Sequence, residues 1–209
     1  MTISDIFDSL REQCDNARKS INEVRKSSYL SNDVMKNVRE MTIKQAFLNV
    51  FTEWEHFLEN SAIAYSLGEE NLCGFKPNKY ISPIDEDHAN RLIKGDSTYP
   101  DWSDIRSVKD TVLRLFENGE PFKSALDGFS SKFSEIKKVR NIIVHNSVKS
   151  KEEFDTLVRN SLRASDVGLT VVEFLLSKKG TNPYFFDIYI TLIENTATLI
   201  SNYTIGTST

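Results

Sequence analysis

Arg140, Asn141 and His145 bring three chemically different side chains into one short stretch of the chain. An imidazole titrates near neutrality and can both take and give protons there. A guanidinium presents a planar fork of donors that fits a phosphate or a carboxylate and stabilises negative charge developing on oxygen. A carboxamide can orient either group or bind a phosphate oxygen.

The segment Phe129–His145 has the periodicity of a helix, at about 100° per residue. On that wheel Arg140 falls between Phe129, Phe133, Ile136, Ile143 and Val144, in the middle of an apolar stripe, and Asn141 and His145 border the stripe as an i,i+4 pair. A guanidinium is costly to place among apolar groups without a partner, so Arg140 calls for an explanation that Lys137 or Lys138 does not. An ion pair with Glu53 or Glu55 of an earlier helix would supply one as readily as a functional role. His145, at a helix C-terminus, is also placed to complement the helix dipole and cap carbonyls.

Charge is uneven along the chain. Net charge is −4, against a globally basic surface that coats nucleic acid, yet Ser131–Lys151 carries Lys132, Lys137, Lys138, Arg140, Lys149 and Lys151 against Glu135 alone. A polyanion would be drawn to that segment. On charge alone it also reads as a solvated helix face flanked by lysines. Cys14 and Cys73 have no Cys or His neighbours at ligand spacing, so they read as reduced thiols, and no metal site or cofactor is expected. No run of apolar residues is long enough for a membrane span, and the acidic start of the chain is unlike an export signal, so a cytoplasmic protein is expected.

The elements that must position these residues read as helices. Ile3, Ile6, Phe7, Leu10, Cys14, Ala17, Ile21 and Val24 predict a helix from about Ser4 to Ser27. Ser31 or Asn32 would cap a second, longer helix from Val34 to Gly68, too apolar to stand without partners along most of its length. Residues 69–103 lose the period and read as an irregular insertion with a short helix at Glu86–Ile93. Further helices are expected after Ser103, after Pro121, from near Phe154, across Val167–Leu176 and over Tyr184–Tyr203. The expected architecture is all-α, with residues 1–209 as a single domain. Of the other histidines, His56 reads as core or interface and His88 as exposed.

The run Ile136-Lys137-Lys138-Val139-Arg140-Asn141-Ile142-Ile143-Val144-His145-Asn146 resembles the Arg-Asn-x3-His signature of the HEPN superfamily, in its apolar pattern as well as its polar residues. The helix holding Glu53-Trp54-Glu55-His56-Phe57-Leu58 is similar to an early helix of that superfamily, and the combination resembles the RiboL-PSP-like nuclease branch. The resemblance implies an antiparallel helical bundle that dimerises through the motif helix. It also implies metal-independent cleavage of RNA by attack of the ribose 2′-OH, with Arg140 and His145 catalytic and Asn141 assisting. Lys137, Lys138 and Lys149 are expected to bind RNA and Glu55 to support the site. The apolar stripe of Phe129, Phe133, Ile136 and Arg140 is the expected dimer face. A toxin or anti-phage defence setting, with an antitoxin or regulatory protein as partner, fits such an enzyme. The competing expectation is a non-catalytic HEPN module that binds a protein or a nucleotide; retention of Arg, Asn and His together favours the nuclease. A polymerase-like nucleotidyltransferase is disfavoured, because neither a Gly-Ser motif with paired aspartates nor a Gly-rich phosphate loop is present.

Overall fold

The computed structural model describes residues 1–26, 33–94, 100–162 and 168–204. Ser31, Asn32 and Val167 lie outside them. The fold is all-α. Its helices are α1 (Ile3–Lys26), α2 (Asp33–Leu67), α3 (Glu86–Lys94), α4 (Ile105–Leu115), α5 (Phe122–Asp127), α6 (Ser130–His145), α7 (Val148–Leu162), α8 (Val171–Leu175) and α9 (Phe185–Ser201). Among the described residues extended pairing is limited to isolated bridges, Lys79 with Phe116 and Lys178 with Tyr184. No described helix is long and apolar enough to cross a membrane.

The chain packs as two compact units. Helices α1, α2 and α9 each give one end to the first unit and the other end to the second.

The first unit comprises Met1–Arg11, Glu53–Ser130 and Ile193–Thr209. Its core is aromatic. Trp54 stacks on Phe57 at 5.7 Å between ring centres, Phe7 meets Phe57 edge-on, and Tyr65 lies edge-on to both Phe116 and Phe122. Burial pushes the Tyr65 phenol well above its usual pKa, so it stays protonated and donates its hydrogen bond to the Ile200 carbonyl at 3.1 Å. Helix α2 stops at Gly68, whose φ of 97° is left-handed, and the Lys79 ammonium donates to the Ser66 carbonyl of its last turn. The insertion carries the short helix expected of it, α3. Helix α4 begins one residue later than Ser103 suggests, because Asp104 is the cap: its Oδ1 accepts from Arg106 N at 2.9 Å.

The second unit comprises Glu12–Thr52 and Ser131–Leu192. Phe47 and Phe51 of α2, Phe133, Ile136 and Val139 of α6, Phe154 of α7, Phe174 of α8 and Phe186 and Tyr189 of α9 are all buried. Phe174 stacks on Phe185 and takes Phe154 edge-on. The β-branched stretch after Val167 yields only the single turn of α8, held by a capping box in which Thr170 Oγ1 accepts from Glu173 N and the Glu173 carboxylate accepts from Thr170 N. Helix α7 starts at Val148, well before Phe154. Ser147 and Ser150 cap it reciprocally, each side-chain oxygen accepting from the other's backbone N–H.

The packing of α2 departs from expectation at one end. From Ile43 to Tyr65 its apolar residues are buried apart from the half-buried Leu48, but Val34, Val38 and Met41 are half-exposed or more, and no described element of the chain covers them.

In the first unit Asp127 accepts from both Lys109 and Lys123, and these hydrogen bonds lower its pKa from 3.8 to about 2. A carboxylate depressed in the folded state stabilises it fully above the unfolded pKa, and the contribution disappears as pH falls through the folded value. Asp127→Asn is therefore expected to lower Tm slightly at pH 7, and the difference from wild type should close between pH 4 and pH 2. A calorimetric pH series checks this; an undiminished difference at pH 2 would show that the ion pairs are not its source.

Candidate active site

Helix α6 holds Arg140, Asn141 and His145, and two local features fix where they end up. Phe133, Ile136 and Val139 turn inward and anchor the helix in the core of the second unit. Asn146 then leaves the helix with φ 42°, a left-handed conformation that asparagine tolerates better than most residues. Ser147 caps α7 at once. The turn between the helices is only these two residues, so His145 is the exposed last residue of α6 beside the first turn of α7.

This geometry corrects the expected dimer face. Phe133 and Ile136 are 3% and 0% exposed, so they belong to the core and cannot meet a second chain. A wheel shows that residues share a stripe without showing what the stripe packs against. Arg140 lies at the edge of the buried face and is half-buried; the apolar residues left accessible are at the helix end, where Ile142 and Ile143 are half-buried and Val144 is 48% exposed.

Within its own unit, Arg140 has the following surroundings. Among the described residues of its unit, no carboxylate lies within ion-pair distance. Its guanidinium sits 6.0 Å from the centre of the Phe51 ring, and Nη1 lies 3.2 Å from His145 Nε2 and 3.4 Å from Asn141 Oδ1. A guanidinium has no lone pair, so a hydrogen bond at the contact with His145 requires the ring Nε2 as acceptor and the tautomer with the proton on Nδ1. Nε2 is thereby presented as a base, next to a group suited to bind an anion. Both sit at the accessible end of a helix.

The remaining expected residues divide into two groups. Lys137, Asn141 and His145 recur every four residues, with Lys138 beside them, so all four share one flank of α6, and both lysines are half-buried. Lys149 is on α7, with an exposed side chain 3.9 Å from Glu153. Glu55 is half-buried on the part of α2 that belongs to the first unit. Glu53, the other carboxylate considered for Arg140, accepts from Ser9 Oγ at 2.7 Å and lies 3.6 Å from Nδ1 of His56, whose side chain is exposed rather than part of the core. Among the described residues no three His, Cys, Asp or Glu side chains gather closely enough to hold a metal ion.

The sequence alone did not point to an open cleft of about 410 Å³ in the second unit, bordered by Ile142, Ile143 and Asn146 of the motif segment. Across it stand the i,i+4 pairs Glu40–Lys44 on α2 and Lys151–Asp155 on α7. Each pair is visible as a spacing. That the two face one cleft depends on helix packing.

No family model matches this chain, and neither a curated protein nor a solved structure was found to match it.

The left-handed Asn146 makes a local prediction. Asn146→Gly should keep full stability, whereas Asn146→Val should cost on the order of 1–2 kcal/mol, because a β-branched side chain clashes in that region. Urea unfolding of both variants checks this, and equal stabilities would mean that the turn adopts another conformation in solution.

Proposed function

We propose that the chain is a metal-independent endoribonuclease. The observation that carries this reading is the 3.2 Å contact between the Arg140 guanidinium and His145 Nε2 at the accessible end of α6, with no carboxylate of the unit neutralising the arginine. When a phosphodiester enters, its oxygens compete for the guanidinium, and Nε2 is released to accept the proton of the neighbouring ribose 2′-OH. The O2′–P bond forms as the P–O5′ bond breaks. Arg140 balances the charge gathered on the phosphorane, and the imidazolium returns a proton to the departing O5′. The products are a 2′,3′-cyclic phosphate and a 5′-hydroxyl. Asn141 holds the guanidinium in place, and Lys137 and Lys138, on the flank that carries His145, attract the strand. The resemblance of this segment to the HEPN signature supports the same reading, as does its local positive charge. A toxin or defence role restrained by an antitoxin or regulatory protein is the setting that this chemistry fits.

A second reading is favoured by the exposed apolar side chains near the motif: Val144 is 48% and Val148 75% exposed on either side of the α6–α7 turn. Such residues suit association, and a HEPN-like module without catalysis would need only them. For the nuclease, the same residues support a homodimer through the end of the motif helix, which would bring two Arg140–His145 sets together.

Arg140→Ala and His145→Ala are each expected to reduce RNA cleavage by roughly 10²–10⁴-fold with unchanged circular dichroism, the range for losing a charge-stabilising or a proton-transferring group. Cleavage should persist in EDTA and spare DNA and RNA methylated at O2′, since both lack the nucleophile. Arg140→Lys separates a bidentate phosphate contact, which predicts a large loss, from simple charge, which predicts a small one. Intact RNA with wild-type protein, alongside tight binding of a protein or nucleotide, would favour the association module; DNA cut at a comparable rate would exclude attack by the 2′-OH.

Light scattering at micromolar concentration should give twice the 23.9 kDa chain mass, reduced by Val144→Asp. A mass of one chain at every concentration would remove the dimer.

A further inference from the structure

We infer that the site that cuts RNA also rejoins it: Arg140 and His145 catalyse attack of a 5′-hydroxyl on a 2′,3′-cyclic phosphate and restore the 3′–5′ link. This further activity rests on the nuclease reading above. Its substrates are two RNA ends, and it needs no nucleotide cofactor.

The observation that carries it is that, in the proposed cut, one nitrogen serves both proton transfers. His145 Nε2 lies 3.2 Å from Arg140 Nη1, and a hydrogen bond there requires the neutral tautomer, with its proton on Nδ1. A cutting site with a separate acid and base rests with one protonated and the other free, and ends supplied from solution need those two states exchanged. With a single shuttling nitrogen, the resting form is competent in both directions.

The step balances without an outside source of energy. As O5′ attacks phosphorus in line with O2′, Nε2 takes the proton of the 5′-hydroxyl. The O5′–P bond forms, the P–O2′ bond breaks, and the imidazolium returns the proton to O2′, while Arg140 balances the charge on the same phosphorane as in the cut. One phosphate ester bond is exchanged for another, and the phosphate keeps its charge. What drives cutting is the freedom gained as two fragments separate. In an RNA cut in a loop and held together by its stem, that gain is largely withheld, and joining competes.

Access decides what else competes. His145 is exposed as the last residue of α6, so a strand end reaches Nε2 and so does water. Water attacking in the place of O5′ leaves a 3′-phosphate. A 5′-hydroxyl held in line has an effective concentration far above its bulk value, and Lys137 and Lys138 on the flank of His145 attract both strand ends. Ends held together are therefore joined, and separated ends are hydrolysed.

The test uses a stem-loop RNA prepared as two synthetic halves that meet where wild type cuts the intact RNA. One half ends in a 2′,3′-cyclic phosphate and the other begins with a 5′-hydroxyl. Annealed and incubated with wild-type protein in EDTA, they should give full-length RNA with a 3′–5′ link at the junction, read by linkage-specific nuclease digestion. Arg140→Ala and His145→Ala should slow joining by the same factor as cutting, roughly 10²–10⁴-fold, because one transition state serves both directions. Halves ending in a 3′-phosphate should stay apart. Hydrolysis of the annealed cyclic phosphate with no full-length product, a 2′–5′ link, or joining that persists in His145→Ala overturns the inference; if wild type still cuts and those variants do not, the nuclease reading stands. If wild type cuts no RNA at any position, the nuclease reading fails and this inference fails with it.

Discussion

A guanidinium partly withdrawn from water must find compensation for the hydration it loses, and this constraint on Arg140 organises the end of α6. Arginine keeps its charge at any accessible pH, so the surroundings must supply acceptors or an aromatic face. Here they supply the Phe51 ring, Asn141 Oδ1 and His145 Nε2. None of these cancels the charge. The arginine is thus solvated by the protein yet electrostatically unpaired within its unit, which is the condition in which a cation retains affinity for an incoming anion. A carboxylate partner would have stabilised the same side chain and removed that affinity.

Several structural features follow from keeping that arrangement accessible. The helix must be held firmly on one side, which Phe133, Ile136 and Val139 achieve, and must end immediately after His145, which the left-handed Asn146 and the Ser147–Ser150 cap achieve. Were α6 to continue by another turn, the His145 ring would lie along a helix wall instead of at its end. The tight α6–α7 turn also brings α7 close enough to present Lys151 and Asp155 to the cleft bordered by Ile142 and Ile143. The same cap that ends the motif helix therefore sets one wall of the adjoining cavity.

Much of this was legible before any coordinates. The three-and-four spacing of α1 and α2, the stop at Gly68, the helix at Glu86 within the insertion and the extent of α6 all follow from local periodicity and breakers, which act over a few residues. Capping was harder to read. Ser103 and Asp104 are both competent caps, and Asp104 takes the role; at α7 the cap is Ser147, well ahead of Phe154, where the apolar pattern resumes. What the wheel could not provide was the identity of the surface opposite each stripe. Phe133 and Ile136 look the same whether they meet a second chain or the protein's own core, because apolar surface is buried equally well by either. The cleft was illegible for the same reason: its walls come from α2, α6, α7 and the residues before α8, far apart in sequence.

The unequal treatment of apolar residues along α2 carries the last step. The helix buries nearly everything from Ile43 to Tyr65, yet leaves Val34, Val38 and Met41, one stripe at i, i+4 and i+7, open to solvent. Val144 and Val148 are open as well, on elements of the same unit. Lone exposed apolar residues need no explanation, but a helical stripe of them loses the stabilisation that burial would bring, about 0.8 kcal/mol for each methylene-sized group. The catalytic reading and the association reading therefore need not compete. Near the end of α6 the unit thus leaves two kinds of surface incompletely compensated, a guanidinium with no carboxylate of its own unit beside it and valines that no described residue covers.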